Sequence, residues 1–281
     1  MNRTSPSEVK AWCIGRGFHP NKVLGQNFLI DRNILGSIAD AAGDVSGRRV
    51  LEVGPGLGVM TEELLKRGAA VTAIEKDPVL ARALGEDLGA AYPALSLHCA
   101  DALEVDWDAL LAEGFAAFVS NLPYSVGTRI LLDLALRRRA PERLVVMVQT
   151  EVAERLAAPA GSPARGQAGV WCQLHYDVSI LRKVKPVCFW PRPEVDSSVV
   201  LLNRHRRCIL SAVEEETFLS LTRKVFMHRR KQIGTLLRKD ANFAGNSMDA
   251  LRRAGISPET RGEALTLPQW ECLAQALSNP A

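Results

Sequence analysis

The chain has 281 residues, of which 47% are apolar and 23% charged, a composition close to the average for globular proteins. This composition excludes wholesale disorder and a collagen-like fibre, and no run of eighteen apolar residues predicts a transmembrane helix. The formal net charge is +4, yet residues 203–281 carry a net +5 and the first 202 residues a net −1. The basic C-terminal part therefore predicts an anionic partner.

The N-terminus and the cysteines bear on localisation and redox state. The first residues contain no apolar core of signal-peptide length, which favours a cytoplasmic protein. The six cysteines lie far apart without a CxxC pair, so we expect reduced thiols and neither a disulfide framework nor a metal site.

Residues 48–202 alternate short β-rich runs with stretches of helical periodicity, such as Val59–Arg67 and Pro78–Leu88. Strand followed by helix, repeated, is typical of an α/β fold with a mostly parallel, doubly wound, Rossmann-like sheet. Only a Pro-rich loop separates the last two runs, which favours an antiparallel hairpin at the sheet edge. The predicted strands are Arg49–Val53, Val71–Glu75, Leu95–Cys99, Ala116–Ser120, Leu144–Gln149, Leu174–Leu181 and Ser197–Leu202.

After Asn203 the pattern changes to helices only. We therefore expect a sheet domain over residues 1–203 and a small all-helical domain over residues 204–281. Residues 157–169 are small and rich in Gly and Pro, which predicts a mobile loop. The predicted C-terminal helices are Glu214–Lys239, Ser247–Ala254 and Leu267–Leu277.

A glycine-rich turn follows the first predicted strand and leads directly into a helix. Gly54, Gly56 and Gly58 allow the backbone to turn tightly and to approach a ligand closely. The next strand ends in Glu75, whose carboxylate can accept hydrogen bonds from both ribose hydroxyls. The pattern therefore predicts an adenosine-containing cofactor.

The glycine spacing discriminates between cofactors. A dinucleotide fingerprint is G-x-G-x-x-G, whereas the last glycine here comes one residue earlier and the turn follows Glu52. This spacing favours S-adenosylmethionine, which has no phosphate to bind. Asp101, just past the third strand, can bind the adenine amino group, although such an aspartate is also a common helix N-cap.

The fourth predicted strand leads into Asn121-Leu122-Pro123-Tyr124, a pattern that suits methylation of an exocyclic amino group. The lone pair of such an amino group is delocalised into the ring, so acceptors that hold its N–H bonds out of plane make the nitrogen more nucleophilic. The Asn121 side-chain oxygen and a backbone carbonyl near Leu122 can do this, because Pro123 makes the turn rigid. Tyr124 can stack on the base.

Together these motifs resemble the KsgA/RsmA family of ribosomal RNA adenine dimethylases, over residues 19 to about 277. The resemblance implies that S-adenosylmethionine is used to dimethylate N6 of two adjacent adenosines near the 3′ end of 16S rRNA. It also implies a monomer whose partner is an immature 30S subunit. Besides the motifs above, the resemblance rests on Lys22–Leu29, Phe189–Val200, Arg229–Lys231 and Arg261–Leu265.

The resemblance also assigns the site residues. It places Asn121 where the cofactor meets the target, and it places the flipped adenine between Tyr124 and Phe189. An N-terminal segment is expected to cover the cofactor. The implied catalytic residues are Asn121, Leu122, Pro123, Tyr124 and Phe189, and the implied cofactor-binding residues are Gln26, Asn27, Leu29, Glu52, Gly54, Gly56, Glu75, Asp101 and Asn121.

Three stretches depart from the family pattern without removing a catalytic group. They are Ser125–Arg129 after the catalytic turn, Arg165 in the predicted loop, and Gln232–Thr235 in the C-terminal part. These departures bear on the contacts with RNA.

A row of cations is predicted on the helix over residues 217–239. Lys224, Lys231 and Arg238 recur every seven residues and would share one face, with Arg223 and Arg230 beside them. Such a row suits binding along a phosphate backbone, although a solvated face is the simpler alternative.

Three other functions are compatible with parts of the pattern. A related dimethylase of the antibiotic-resistance type would act on 23S rRNA. A ribosome-assembly factor would bind RNA with weak or no catalysis. A nicotinamide-dependent oxidoreductase is the third alternative, and the glycine spacing argues against it.

Overall fold

The computed structural model describes residues 1–21 and 25–279. Lys22, Val23 and Leu24, which open one of the family motifs, lie outside the described residues. Within the described ranges, every helix is too short or too polar to cross a lipid bilayer.

The chain divides into two units of dense internal contact. The first contains residues 1–153 together with 177–204, and the second contains residues 154–176 together with the chain from His205 onward. The sequence pattern placed residues 154–176 with the sheet, so the observed division differs from the expected boundary at residue 203 in this segment.

The first unit is built on a seven-stranded sheet with the order β4-β3-β2-β5-β6-β9-β7. Its strands β2 to β6 run parallel, and β9 runs antiparallel to β6 near the edge formed by β7. The predicted mostly parallel α/β sheet with an antiparallel edge is therefore confirmed. The strands are β1 Phe28–Leu29, β2 Arg49–Val53, β3 Ala70–Glu75, β4 Leu95–Cys99, β5 Ala117–Asn121, β6 Arg143–Gln149, β7 Tyr176–Val184, β8 Phe189–Trp190 and β9 Ser197–Arg204, of which β1 and β8 form a separate antiparallel pair.

The inner strands are covered on both faces, which explains their nearly continuous apolar sequences. Residues 144–148 of β6 are all at most 3% exposed, as are Val50, Leu51 and Val53 of β2. Polar side chains fix where the covering helices begin: Asp31 caps α2 and Asp77 caps α4, each accepting two backbone N–H groups. The helices are α1 Pro6–Gly15, α2 Arg32–Ala41, α3 Val59–Lys66, α4 Pro78–Leu88, α5 Trp107–Leu111, α6 Gly127–Ala135 and α7 Thr150–Ala157, of which the residues from Glu154 onward belong to the second unit.

The second unit is helical. Its α8 packs on α9, where the indole N–H of buried Trp171 donates to the buried hydroxyl of Thr222 at 2.8 Å. This contact is one reason why the segment before β7 belongs with the C-terminal helices. The helices are α8 Gln167–His175, α9 Ala212–Met227, α10 Ile233–Arg238, α11 Ser247–Arg253 and α12 Leu267–Ser278.

The prediction of one helix over Glu214–Lys239 is wrong, because α9 ends at Met227 and α10 begins at Ile233. The backbone N–H groups of Ile233 and Gly234 donate to the carbonyls of Thr260 and Pro258, at 2.8 and 2.9 Å, and so are not used to continue a helix. A Cβ on Gly234 would lie 2.6 Å from the Pro258 side chain, so this approach requires glycine.

The segment predicted as a mobile loop is organised around a buried arginine. Arg165 is 2% exposed and donates from Nη1 to the Ala158 carbonyl at 2.7 Å and to Gln173 Oε1 at 3.0 Å. Residues 167–169, at the end of the predicted loop, already form the first turn of α8. The departure from the family pattern at Arg165 is therefore an internal packing feature of the second unit.

Candidate active site

A cavity of about 310 Å³ lies in the first unit, where β2, β3 and β5 end. Its walls come from the segment before α2, the glycine turn, the end of β3, the turn after β4 and the start of the Asn-Leu-Pro-Tyr turn. Parallel strands bring their carboxyl ends to one edge of the sheet, so motifs far apart in sequence meet there. Every residue predicted to bind the cofactor lines this cavity: Gln26, Asn27, Leu29, Glu52, Gly54, Gly56, Glu75, Asp101 and Asn121.

The glycine turn needs residues without a Cβ. Gly54, Gly56 and Gly58 have φ angles of 67°, 58° and 78°, in the left-handed region that other residues rarely adopt. The turn is tied to the sheet by a hydrogen bond from the Gly54 N–H to the Ile74 carbonyl at 2.9 Å. It therefore forms a fixed wall of the cavity.

Glu75 is 6% exposed and is held by backbone donors on both carboxylate oxygens. Gly56 N–H donates to Oε2 at 3.0 Å, and Asp77 N–H donates to Oε1 at 2.9 Å. Burial raises the pKa of Glu75, and these backbone hydrogen bonds oppose the rise. Each oxygen has further lone pairs, so the carboxylate can still accept hydrogen bonds from a ligand.

Glu52 is the second buried acid of the cavity, with 2% exposure. Its Oε2 accepts a hydrogen bond from Thr61 Oγ1 at 2.7 Å. Burial raises the pKa of Glu52 to about 8; the hydrogen bond from Thr61 lowers it, and the nearby charge of Glu75 raises it. A cationic ligand in the cavity would favour the ionised form.

Asp101 lines the cavity at the turn after β4 and is held there by a backbone hydrogen bond and an ion pair. Its Oδ1 accepts from Leu103 N–H at 2.9 Å, and its Oδ2 contacts Lys76 Nζ at 2.7 Å. The hydrogen bond from Lys76 lowers the pKa of Asp101, so this carboxyl is ionised at neutral pH. The alternative of a helix N-cap does not hold, because α5 is capped by Asp106.

Asn121 is the last residue of β5 and projects into the cavity wall. Its Nδ2 donates to the Asn27 carbonyl at 3.1 Å, which orients the amide and leaves Oδ1 as an acceptor. The turn behind it is rigid, since Leu122 is 1% exposed and the Pro123 carbonyl accepts from Gly127 N–H at 2.7 Å. Pro123 also lines the cavity, whereas Leu122 supports it from the core.

Tyr124 is half-buried, and its hydroxyl lies 2.7 Å from Ser197 Oγ. Burial raises the pKa of Tyr124, so the phenol is neutral at physiological pH. Neither Tyr124 nor Phe189 is among the residues that line the cavity.

Phe189 is a core residue in this structure. It lies in β8, opposite Leu29 of β1, and is 1% exposed within the main apolar cluster of the first unit. The structure therefore does not place it at the cavity with Asn121, and its role as a second aromatic face stays a prediction that would require this side chain to become accessible.

The cations predicted to share one helix face lie on two helices and the turn between them. Lys224 lies on α9 and contacts the buried carboxylate of Asp240, whereas Lys231 lies in the turn between α9 and α10. Arg238 lies on α10 and donates from Nε to the Gly234 carbonyl at 3.1 Å. The break between the two helices removes the seven-residue recurrence on one face.

Four of the five predicted cations are exposed: Arg223, Arg230, Lys231 and Arg238. Arg223 lies over the Trp171 ring at 5.5 Å, and Arg230 lies in the turn beside Lys231. These side chains of the second unit remain available to bind a polyanion.

Arg3 lines the cavity and is absent from the predicted site. It is 7% exposed; Nε donates to the Leu57 carbonyl of the glycine turn at 2.6 Å, and Nη1 pairs with Glu62 at 2.9 Å. A lone arginine near an N-terminus carries no sequence signal, because these partners lie more than fifty residues away.

Comparisons with known proteins agree with this geometry. A family model described as "Ribosomal RNA adenine dimethylase" matches residues 17–278. Proteins named "Ribosomal RNA small subunit methyltransferase A" are similar over nearly their whole length: that of Moorella thermoacetica is 38% identical, covering 98% of both chains. That of Opitutus terrae is 40% identical, covering 96% of this chain and 97% of its own.

Two solved structures share the fold. A dimethyladenosine transferase from Plasmodium falciparum gives a TM-score of 0.76 at 24% identity, covering 87% of this chain and 95% of that one. The 23S rRNA methyltransferase ErmE gives a TM-score of 0.66 at 28% identity, covering 90% of this chain and all of that one. Because the family model spans nearly the entire sequence, this chain belongs to the ribosomal RNA adenine dimethylase family.

Proposed function

We propose that the protein transfers methyl groups from S-adenosylmethionine to N6 of two adjacent adenosines near the 3′ end of small-subunit rRNA, within an immature 30S subunit. The observation that carries the proposal is the position of Asn121. Its oriented amide lies on the wall of the same cavity that holds the buried carboxylate of Glu75. The carboxylate proposed to bind the cofactor and the amide proposed to bind the target amino group therefore line the same cavity.

The cavity fits the proposed cofactor. Its volume of about 310 Å³ is at the lower end of the range for small-molecule sites, and the left-handed glycine turn leaves room for a ligand beside the backbone. Glu75 would accept hydrogen bonds from the ribose hydroxyls, and Asp101 would accept one from the adenine amino group. Gly54 would contact the methionine end, and Gln26 would lie over the bound cofactor. When bound, S-adenosylmethionine supplies a methyl group on a positively charged sulfur that departs as a neutral thioether.

Asn121 would activate the target amino group. Its Oδ1, oriented by the bond from Nδ2 to Asn27, would accept one N–H of the adenine amino group, and a carbonyl of the Leu122–Pro123 turn would accept the other. Holding both N–H bonds favours a pyramidal nitrogen with an available lone pair. Alignment of this nitrogen with the methyl group then provides most of the acceleration, so no strong general base is needed.

Tyr124 would stack on the extruded adenine, which places the base beside Asn121. The RNA backbone would be held by exposed cations of the second unit, and the candidates are Arg223, Arg230, Lys231 and Arg238. Phosphate contacts of this kind position the RNA without reading its sequence. We propose further that the enzyme acts as a monomer and without a metal ion.

A second candidate is methylation of 23S rRNA, which the similarity to ErmE favours. The relatives named for the small subunit are 36–40% identical over nearly the whole chain, so they support the small-subunit substrate more strongly. An assembly factor without catalysis would have no need for the oriented amide of Asn121. A nicotinamide cofactor is disfavoured by the glycine spacing.

The test is incubation with labelled S-adenosylmethionine and ribosomal subunits that lack adenine dimethylation. We expect label in the small-subunit rRNA, mapped to two adjacent adenosines near the 3′ end, and none in intact large subunits. Label in 23S rRNA would favour the second candidate. RNA binding without label in either subunit would favour the assembly factor.

A further inference from the structure

We propose that Ser197 is a positioning residue, which fixes the ring of Tyr124 for stacking on the target adenine. The inference rests on the proposed function and extends it to a residue outside the Asn-Leu-Pro-Tyr turn. Ser197 does not line the cofactor cavity, and its hydroxyl contacts the Tyr124 hydroxyl at 2.7 Å.

The topology explains why a residue of β9 reaches this turn. β9 runs antiparallel to β6, so its first residue, Ser197, lies opposite Gln149 at the end of β6. The Leu122 N–H donates to the Met147 carbonyl of β6, which places the turn at the same edge of the sheet. Because β9 is antiparallel, its first residue lies beside the carboxyl ends of the parallel strands.

The contact restricts a side chain that would otherwise have rotational freedom. Tyr124 is half-buried, and its backbone is already fixed by the rigid turn around Pro123. The hydroxyl of Tyr124 bonds to a serine that is 0% exposed. The side chain is therefore held at the backbone and at the phenolic oxygen. A ring held in the stacking orientation before the base arrives avoids the entropic cost of ordering it later.

A purely structural role for the serine is the alternative, since buried hydroxyls are usually hydrogen-bonded. The neighbouring residue provides the control. Ser198 is also 0% exposed, and its hydroxyl contacts Thr150 Oγ1 at 3.0 Å. Successive side chains of a strand point to opposite faces of the sheet, so Ser198 lies on the face away from Tyr124.

The experiment compares four variants in steady-state methylation of unmethylated 30S subunits and in urea unfolding: Ser197→Ala, Ser198→Ala, Tyr124→Phe and the double variant Ser197→Ala/Tyr124→Phe. Loss of one hydrogen bond is expected to lower kcat of Ser197→Ala by about 3- to 10-fold, with KM for S-adenosylmethionine unchanged. Tyr124→Phe should match it, and the double variant should be no slower than either single variant. Ser198→Ala should lose similar stability and keep wild-type kcat.

Two results would overturn the inference alone: equal kcat for Ser197→Ala and Ser198→Ala, or single-variant losses that multiply in the double variant. Both presuppose that the wild-type protein methylates the subunits. If it does not, the proposed function fails, and the role of Ser197 fails with it.

Discussion

Charged side chains are held differently in the cofactor cavity and in the C-terminal helices. Glu52 and Glu75 are buried, and each accepts hydrogen bonds from fixed donors. Arg223, Arg230 and Lys231 are exposed on long, flexible side chains. Buried, oriented groups suit a small ligand of one shape, whereas exposed cations suit a long polyanion whose phosphates can be met in several geometries.

Lys224 is the exception that makes the comparison useful. It belongs by sequence to the basic helix, yet it is paired with Asp240, which is 6% exposed. Its ammonium group therefore pairs with an internal carboxylate of the second unit. The comparison predicts that cavity variants change chemistry or cofactor affinity, that Lys224 changes stability, and that only the exposed cations change RNA binding.

The largest effect is expected for Asn121→Ala. Removal of an oriented acceptor at a reacting group typically lowers kcat by at least about 100-fold. Cofactor affinity should change much less, since the other walls of the cavity remain. Single-turnover methylation and equilibrium cofactor binding measure the two quantities, with Asn33→Ala, an exposed asparagine of α2, as the control. Full turnover by Asn121→Ala would refute the assigned role.

Glu75→Gln is expected to weaken S-adenosylmethionine binding by about 10- to 100-fold, because a hydrogen bond to a charged group contributes about 1.5–3 kcal/mol. Calorimetric titration measures the change. Glu86→Gln, on the exposed side of α4, should bind the cofactor like the wild type. Equal affinities for both variants would show that Glu75 does not contact the cofactor.

Lys224→Ala should lower the free energy of unfolding by about 1–2 kcal/mol, between the values for exposed and buried ion pairs. It leaves the carboxylate of Asp240 without its cation. Urea unfolding measures the loss, and Lys239→Ala, an exposed neighbour, should show almost none. Wild-type stability with weakened RNA binding would instead restore Lys224 to the RNA-binding surface.

The smallest effect is expected for Arg230→Ala combined with Lys231→Ala. Each lost phosphate contact lowers the slope of log K against log salt by about 0.7–0.9, so the pair should lower it by roughly 1.5. Filter binding over a range of salt concentrations measures the slope. The matched control replaces Arg138 and Arg139, exposed residues on the loop that enters the amino end of β6. An unchanged slope in the first pair would exclude these cations from the RNA contact.

The sheet and the cavity were predictable because their signals are local. β2 and β4 begin and end where the apolar runs do, and Glu75 and Asn121 each end a strand. Parallel topology then brings these strand ends together without further information. Gly54, Glu75, Asp101 and Asn121 therefore line one cavity, as their positions at or just after strand ends predict.

The remainder depended on contacts between residues far apart in sequence. The break after α9 depends on the carbonyls of Thr260 and Pro258, and no residue between positions 227 and 233 is a strong helix breaker. The burial of Phe189 depends on pairing with β1, and the place of Arg3 depends on acids in α3 and α4. Periodicity cannot reveal such partners, because it describes only one segment at a time.

Arg3 has a practical consequence for the preparation of this protein. The buried guanidinium of Arg3 donates to the glycine turn and so holds this segment of the chain beside the cofactor cavity. An affinity tag fused directly ahead of Met1 would therefore lie close in sequence to Arg3, which lines the cavity. For affinity measurements, a tag placed after α12 is therefore preferable, with an N-terminal tag removed completely wherever one is used.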